Sequence, residues 1–218
     1  MRPRCLTTAL VVAFTCVAQV ACGQQPKPAQ APAPASAGVV SDTSGRAIIP
    51  PGYGTLRQED ITVKISLSDV EAWLVPLDES VIRVLSPDSY RQLRGLVESQ
   101  RDRVTRASSV HGLRAPSLWY VRFFGLAPEA QFNPTDVTIT ASGRDFRPVE
   151  IVPLTTGFGA QRLRAREMQA ALYLFDDAVD VSQPITVSMG PVHSERWGDI
   201  LRNVERERAV IRSRAQAK

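Results

Sequence analysis

The spacing of apolar residues along the middle of the chain predicts a protein built mainly from β-strands. Residues 61–67 alternate strictly between apolar and polar side chains, which is typical of a strand with one buried face. Residues 71–77 and 80–85 predict two further short strands, and Pro76 indicates an edge or a bulge. Residues 185–189 predict a last one-faced strand.

Two other stretches, 118–124 and 172–175, carry apolar residues at successive positions rather than at alternate ones. Strands of this kind are covered on both faces. Between them, residues 136–141 and 146–152 flank a short polar segment that contains Gly143. This pattern predicts a β-hairpin with the glycine in its turn.

Helical spacing of apolar residues occurs in two places. Ser86 is a predicted N-cap and Pro87 suits the first helical position, so a helix should begin there and end near Ala107. Residues 194–214 predict a second amphipathic helix, which Ser194 can cap. The apolar stripe of the first helix consists of Tyr90, Leu93, Leu96, Val97 and Val104.

One-faced antiparallel strands predict two sheets packed face to face, and the two-faced strands need an outer cover that two helices can supply. We therefore predict a mainly β fold, an immunoglobulin-like antiparallel β-sandwich with two peripheral amphipathic helices. The alternative is an α+β fold with a single sheet and helices on one face. The globular domain spans residues 46–218, with strands and a helix in 46–115, the sandwich core in 116–190 and the C-terminal helix in 191–218.

The N-terminus has the pattern of a secretory signal peptide. Arg2 and Arg4 precede an uncharged, mostly apolar run over residues 5–21. This run is shorter than a membrane-spanning helix, which needs about 20 apolar residues. We therefore predict that residues 1–21 are a signal peptide and not part of the fold.

Small residues surround the cysteine that closes this segment, in the sequence Val20, Ala21, Cys22 and Gly23. These residues resemble the lipobox of bacterial lipoproteins, although Gln19 stands where that family usually has Leu, Val or Ile. The resemblance implies cleavage before Cys22 and lipidation of that cysteine, and Gly23 in place of Asp implies an outer-membrane destination facing the periplasm. The alternative is an ordinary signal peptide cut after Gly23, which predicts a soluble periplasmic or secreted protein.

The composition of the segment after the signal peptide predicts a tether. Residues 22–45 are rich in Pro, Ala, Gln and Ser, a composition that cannot bury a core and favours an extended chain. All three cysteines lie at or before Cys22, so the domain contains no disulfide. Lys and Arg total 26 against 22 Asp and Glu, and this excess halves without Arg2 and Arg4. Such a balance excludes a strongly basic nucleic-acid-binding surface.

The sharpest cluster of chemically active side chains is acidic. Asp176, Asp177 and Asp180 place three carboxylates in a short segment after an apolar strand. Carboxylate oxygens are the ligands that Ca²⁺ and Mg²⁺ prefer, so these residues form a candidate cation-binding site. The alternative is a solvated turn, since Asp favours turns.

The remaining candidates are histidines and aromatic residues. His111 and His193 are the only histidines and no Cys accompanies them, so a zinc site is not predicted. A catalytic triad assembled from distant residues stays open. Residues 157–159 predict a mobile loop, whose exposed Phe158 is a candidate contact residue. The tryptophans lie in apolar patterns that predict core positions and not a sugar-binding platform: Trp73, Trp119 and Trp197.

These observations predict a lipid-anchored, extracytoplasmic, non-catalytic protein without a cofactor, a structural or interaction module of the cell envelope. Its partners are the membrane, through the lipid on Cys22, and an envelope protein. The alternative is a periplasmic ligand- or cation-binding module, and a hydrolase built from scattered residues is a third hypothesis. The basic segment 202–218 contains acidic neighbours, which favours a solvated helix face over contact with anionic headgroups.

Overall fold

The computed structural model describes residues 49–216, which belong to one compact unit. The predicted signal peptide, Cys22 and the predicted tether lie outside the described residues. Residues 49–216 form eleven strands: β1 (Val63–Ser66), β2 (Val70–Pro76), β3 (Ser117–Gly125), β4 (Ala130–Gln131), β5 (Val137–Ala141), β6 (Arg144–Phe146), β7 (Glu150–Pro153), β8 (Arg162–Leu163), β9 (Met168–Phe175), β10 (Ile185–Met189) and β11 (Val192–Ser194). They also form four α-helices: α1 (Glu79–Ile82), α2 (Pro87–Ser99), α3 (Arg101–His111) and α4 (Trp197–Gln216).

The strands form three antiparallel sheets, which confirms the prediction of a mainly β fold. The large sheet has the order β1-β2-β3-β9-β7, and the small sheet has the order β11-β10-β5-β6. The two short strands β4 and β8 pair with each other. The alternative prediction of a single sheet is wrong, because β5, β6, β10 and β11 form a sheet of their own.

One hydrophobic core includes residues of the large sheet, the small sheet and α4. Trp119, Phe123 and Tyr173 of the large sheet are fully buried in it. The hydroxyl of Tyr173 donates a hydrogen bond to the carbonyl oxygen of Pro134 at 2.9 Å, and burial raises the pKa of this tyrosine. Trp197 of α4 packs against Trp119 with 6.0 Å between ring centroids. The predicted core positions of Trp119 and Trp197 are therefore confirmed.

Residues 80–85 contain a helix, so the strand predicted there is wrong. Helix α1 follows Asp78, whose side-chain oxygen accepts a hydrogen bond from the backbone N–H of Ser80 at 2.7 Å. This N-cap favours a helix. The buried side chains of the stretch also recur at a spacing that suits one side of a helix: Val81, Ile82, Val84 and Leu85.

The helix predicted to follow Ser86 is two helices. Pro87 begins α2 as predicted, but the backbone of Gln100 (φ −108°, ψ 6°) leaves the helical region and separates α2 from α3. Helix α3 then continues past Ala107, the predicted end. It stops at Gly112, which adopts the left-handed conformation (φ 68°) that glycine favours at helix C-termini.

The predicted hairpin around Gly143 is confirmed. Strands β5 and β6 are joined by Ser142 and Gly143, both at positive φ (51° and 73°), as a tight two-residue turn requires. The single strand predicted over residues 146–152 is wrong, since β6 ends at Phe146 in the small sheet and β7 begins at Glu150 in the large sheet. Pro148 lies between them and has no N–H to continue a ladder.

The C-terminal helix is confirmed with a later start. Ser194, the predicted cap, pairs with Val187 as the last residue of β11, and α4 begins at Trp197. Its buried side chains include Ile200, Val204 and Ile211. Within residues 49–216, no helix combines the length and the apolar character that crossing a bilayer requires.

Candidate functional site

The outer face of the large sheet, the side opposite the core, is covered over only part of its width. Helix α3 lies beside β7, where Nη1 of Arg103 donates to the carbonyl oxygen of Pro153 at 3.1 Å. The outward side chains on this side of the sheet, Val152 and Leu172, are buried. Toward β1 and the start of β2, the outward side chains are half-buried or exposed. The predicted cover on both faces is therefore incomplete.

Strand register brings five of these outward side chains together. Lys64 of β1 lies opposite Trp73 of β2, and Trp73 lies opposite Arg122 of β3. Tyr120 and Phe124 flank Arg122 on the same face of β3, because side chains alternate along a strand. We call these five residues the aromatic–cation cluster.

Two cations and three rings contact one another in the aromatic–cation cluster. Nζ of Lys64 lies 4.0 Å from the centroid of the Trp73 ring, and Cζ of Arg122 lies 5.0 Å from it. The guanidinium also lies 5.2 Å from the ring centroid of Tyr120 and 5.8 Å from that of Phe124. A cation this close to a ring face is attracted by the ring quadrupole. The three aromatic rings therefore hold two positive charges side by side.

The cluster contains hydrogen-bond donors that no other described residue satisfies. Nε of Arg122 and Nε1 of Trp73 are buried without an acceptor. Burial lowers the pKa of the Arg122 guanidinium, which remains a cation at neutral pH. Leaving a buried donor unsatisfied costs about 1–3 kcal/mol. An acceptor that reached these groups would therefore be bound favourably.

Exposed apolar side chains lie beside the cluster. Met168 of β9 lies opposite Phe124 and is 41% exposed, and Leu126, which follows β3, is 55% exposed. Apolar surface next to charged side chains is typical of a contact site. The open part of the outer face therefore combines aromatic, cationic and aliphatic groups.

The three aspartates predicted as a cation site do not converge. Asp176 and Asp180 each accept a hydrogen bond at 2.8 Å from the backbone N–H two residues further on. Asp177 accepts one from the backbone N–H of Arg114 at 3.0 Å. Across the part of the chain that the structure describes, no three His, Cys, Asp or Glu side chains are grouped so as to hold a metal ion. The geometry favours the solvated turn.

One histidine lies at the end of a helix and the other on a strand of the small sheet. Nε2 of His111, at the end of α3, is 3.2 Å from Oε2 of Glu150 on β7. His193 is an exposed residue of β11 in the small sheet. Among the described residues, no hydrogen bond joins the imidazole of either histidine to a serine hydroxyl.

The prediction that Phe158 is exposed is wrong. Its side chain is only 4% exposed and packs against the rings of Phe123 and Phe132, with centroid distances of 6.1 Å and 5.6 Å. Gly157 adopts φ 127°, a conformation that glycine tolerates, and so the loop turns its aromatic ring inward. Phe158 belongs to the core and is not available as a contact residue.

The core position predicted for Trp73 is also wrong, because this side chain is half-buried on the outer face. Apolar neighbours in residues 71–77 hide the alternation of β2. The informative residue is Arg122, which shares a face with Tyr120 and Phe124. An unpaired charge is seldom fully buried, so its position in the strand predicts an open face.

Comparison with protein-family models, with characterised proteins and with solved structures finds no match to this chain.

Proposed function

We propose that this chain is a lipid-anchored, extracytoplasmic, non-catalytic binding module of the cell envelope, which contacts an envelope protein through the aromatic–cation cluster. The observation that carries the proposal is the pair of cations held on Trp73 at an open sheet face, beside donors without acceptors. Aromatic residues and arginine are enriched at protein interfaces and among the residues that dominate binding. The cluster offers binding groups rather than a nucleophile and a base.

Photo-cross-linking in living cells tests the contact. Ser66 is exposed and lies on the same face of β1 as Lys64, so a photoreactive amino acid at position 66 reaches a partner without replacing a cluster residue. The matched control is position 193, since His193 is an exposed strand residue of the small sheet. We expect one envelope protein, identified by mass spectrometry, to be captured from position 66 and not from position 193. Equal capture from both positions, or none, contradicts the proposal.

Export and anchoring rest on the N-terminal sequence, in which Cys22 follows a basic head and an apolar run. The test is the intact mass of the protein extracted from membranes, compared with a Cys22→Ala variant. We expect a chain that begins at Cys22 and carries acyl groups, lost in the variant. An unmodified chain that begins near Gln24 would contradict the anchor.

We also propose that the large and small sheets constitute an immunoglobulin-like β-sandwich. Support comes from the core that includes residues of both sheets and from the proximity of β1 to β10 and β11. An experimental structure in which the strand directions of the two sheets lie within about 30° supports this assignment. Sheets that cross at a right angle contradict it.

A periplasmic ligand-binding module is the second candidate, and a cleft beside β4 and β8 favours it. The cleft has a volume of about 370 Å³, and its polar lining residues are Gln131, Asn133, Gln161 and Arg162. A thermal-shift screen with cell-wall glycan fragments tests this function. A rise in Tm that is lost in Arg162→Ala supports it, and the absence of any shift counts against it.

A further inference from the structure

The aromatic–cation cluster carries positive charge that no described carboxylate contacts as an ion pair, although the charge of Glu59 acts on Arg122 from a distance. Within residues 49–216, the side chains of Lys64 and Arg122 form no hydrogen bond and no ion pair. Arginines elsewhere do find carboxylates, since Arg83 and Arg94 both pair with Glu79 at 2.6 Å. The nearby acid on the outer face, Glu71, instead accepts a hydrogen bond from the hydroxyl of Ser66 at 3.3 Å. The cluster therefore favours an anionic ligand.

The polar groups of the cluster specify what that ligand must offer. The guanidinium of Arg122, the ammonium of Lys64 and the indole N–H of Trp73 are all donors without acceptor capacity. Carboxylate oxygens are acceptors that a guanidinium binds in a bidentate manner. Nε of Arg122 and Nε1 of Trp73 are buried, so a carboxylate reaches them only when the side chains around them move.

The aliphatic side chains beside the cluster favour a polypeptide over a free ion. Met168, which lies opposite Phe124, and Leu126, which follows two residues after Phe124, are exposed, and they offer apolar contacts that a small anion cannot use. The chain's own predicted tether is a poor occupant, because residues 22–45 contain a single acidic residue, Asp42. A segment of another protein in which acidic and apolar side chains alternate matches both the cationic part and the apolar part of the surface.

Resting on the function proposed above, we propose that the aromatic–cation cluster binds an acidic segment of the partner protein. Carboxylates of that segment pair with Arg122 and Lys64, and its apolar side chains pack against Phe124, Met168 and Leu126. Because the contact uses a sheet face and not a strand edge, the partner is recognised by its side chains rather than by backbone pairing.

Nuclear magnetic resonance with ¹⁵N-labelled protein tests this proposal at single atoms. The chain from residue 22 onward keeps the whole compact unit and lacks a lipid that would insert into vesicles. Its three indole signals include two internal controls, because Nε1 of Trp119 and Nε1 of Trp197 already donate to Ser117 and Val181 at 3.0 Å. The ligand is a synthetic end-capped peptide in which Glu alternates with Leu. Matched comparisons are the same peptide with Gln for Glu, and phosphatidylglycerol vesicles.

We expect the Glu peptide to shift the indole signal of Trp73 and the Nε signal of Arg122, while the other two indole signals stay in place. Arg122→Gln and Lys64→Gln should each weaken binding by about tenfold, as the loss of one charge-assisted contact implies. The matched control is Arg144→Gln, which removes another arginine that stacks on a ring, 5.3 Å from Phe146. It should leave the affinity unchanged.

Three outcomes overturn the proposal. Equal binding of the Gln peptide means that charge plays no part, and signals that move only with vesicles mean that the surface meets lipid headgroups. No binding of any ligand rejects the site itself. If the Glu peptide fails while cross-linking from position 66 still identifies one envelope protein, the acidic ligand is rejected and the proposed function stands.

Discussion

Replacing Arg208 by Met tests whether helix α4 holds helix α1 through one buried side chain. Nε and Nη2 of Arg208 both donate to the carbonyl oxygen of Ser80, and Nη1 donates to Oε1 of Glu205 at 2.5 Å. The Arg208 side chain is only 5% exposed. Met retains an unbranched, flexible side chain that fills the space, but it donates no hydrogen bond.

The expected magnitude follows from what Ser80 loses. Helix α1 is one turn long, and the N–H of Val84 bonds to the carbonyl of Val81 instead of that of Ser80, so Arg208 supplies the donors for this carbonyl. An unsatisfied buried acceptor costs about 1–3 kcal/mol, while removal of the buried charge recovers part of its desolvation free energy. We therefore expect the free energy of unfolding to fall by about 2 kcal/mol.

Urea denaturation followed by tryptophan fluorescence measures this change. With a slope of about 2 kcal/mol per molar urea, the midpoint should fall by about 1 M. Arg202→Met is the matched control, because Arg202 lies on the same helix and pairs with Asp199 where both side chains are about 70% exposed. Its effect should stay below about 0.5 kcal/mol. Equal midpoints for the two variants would refute the role assigned to Arg208.

Three further predictions concern the core, a close backbone approach and the dependence of stability on pH. Phe158→Ala should lower the free energy of unfolding by about 3 kcal/mol because it empties a buried aromatic site, and a loss below about 1 kcal/mol in urea denaturation contradicts the core position. Gly54→Ala should lower Tm, since its Cβ would lie 2.0 Å from the carbonyl oxygen of Val84, whereas Gly95→Ala in α2 meets no neighbouring atom and should raise Tm; a fall in both variants contradicts this reasoning. Burial holds the pKa of Tyr173 above that of the unfolded chain, so the unfolded state loses its proton first and stability falls as pH rises above about 10. Tyr173→Phe should flatten this alkaline loss in the urea midpoint, and an unchanged slope with pH argues against it.

The strands of the large sheet show what alternation can predict. β1 lies within the stretch whose strict alternation predicts it, because burying one face of a strand imposes a period of two. β2 and β3 lie where nearly continuous apolar runs predict strands, but those runs do not show which side chains face outward. The pairing of β3 with β9 has no such local signal. It joins Ser117 to Phe175 across the whole hairpin of β5 and β6, and only the packing of distant strands on one core determines it.

The wrong predictions arise where one sequence pattern is compatible with two different structures. Val81, Ile82, Val84 and Leu85 are equally compatible with a buried strand and a helical turn, and the side chain of Asp78 selects the helix. For Phe158, flanking glycines predict a mobile loop, whereas the apolar ring gains free energy by burial against Phe123 and Phe132. In that loop, burial of the Phe158 ring outweighs the preference of the glycines for a mobile conformation.

The open part of the outer face follows from the size of the helical cover. Five strands spaced about 4.8 Å apart span about 19 Å, whereas one helix with its side chains is about 10–12 Å wide. Helix α3 runs beside the edge strand β7 and donates to its backbone through Arg103, and a single helix at this edge is narrower than the sheet. The uncovered width falls on β1 and the start of β2. Lys64 and Trp73 lie there, and an aromatic ring left without helical cover is instead packed under two cations. The acidic segment that we propose would therefore have to draw two cations away from the rings, and it would not have to displace a packed helix.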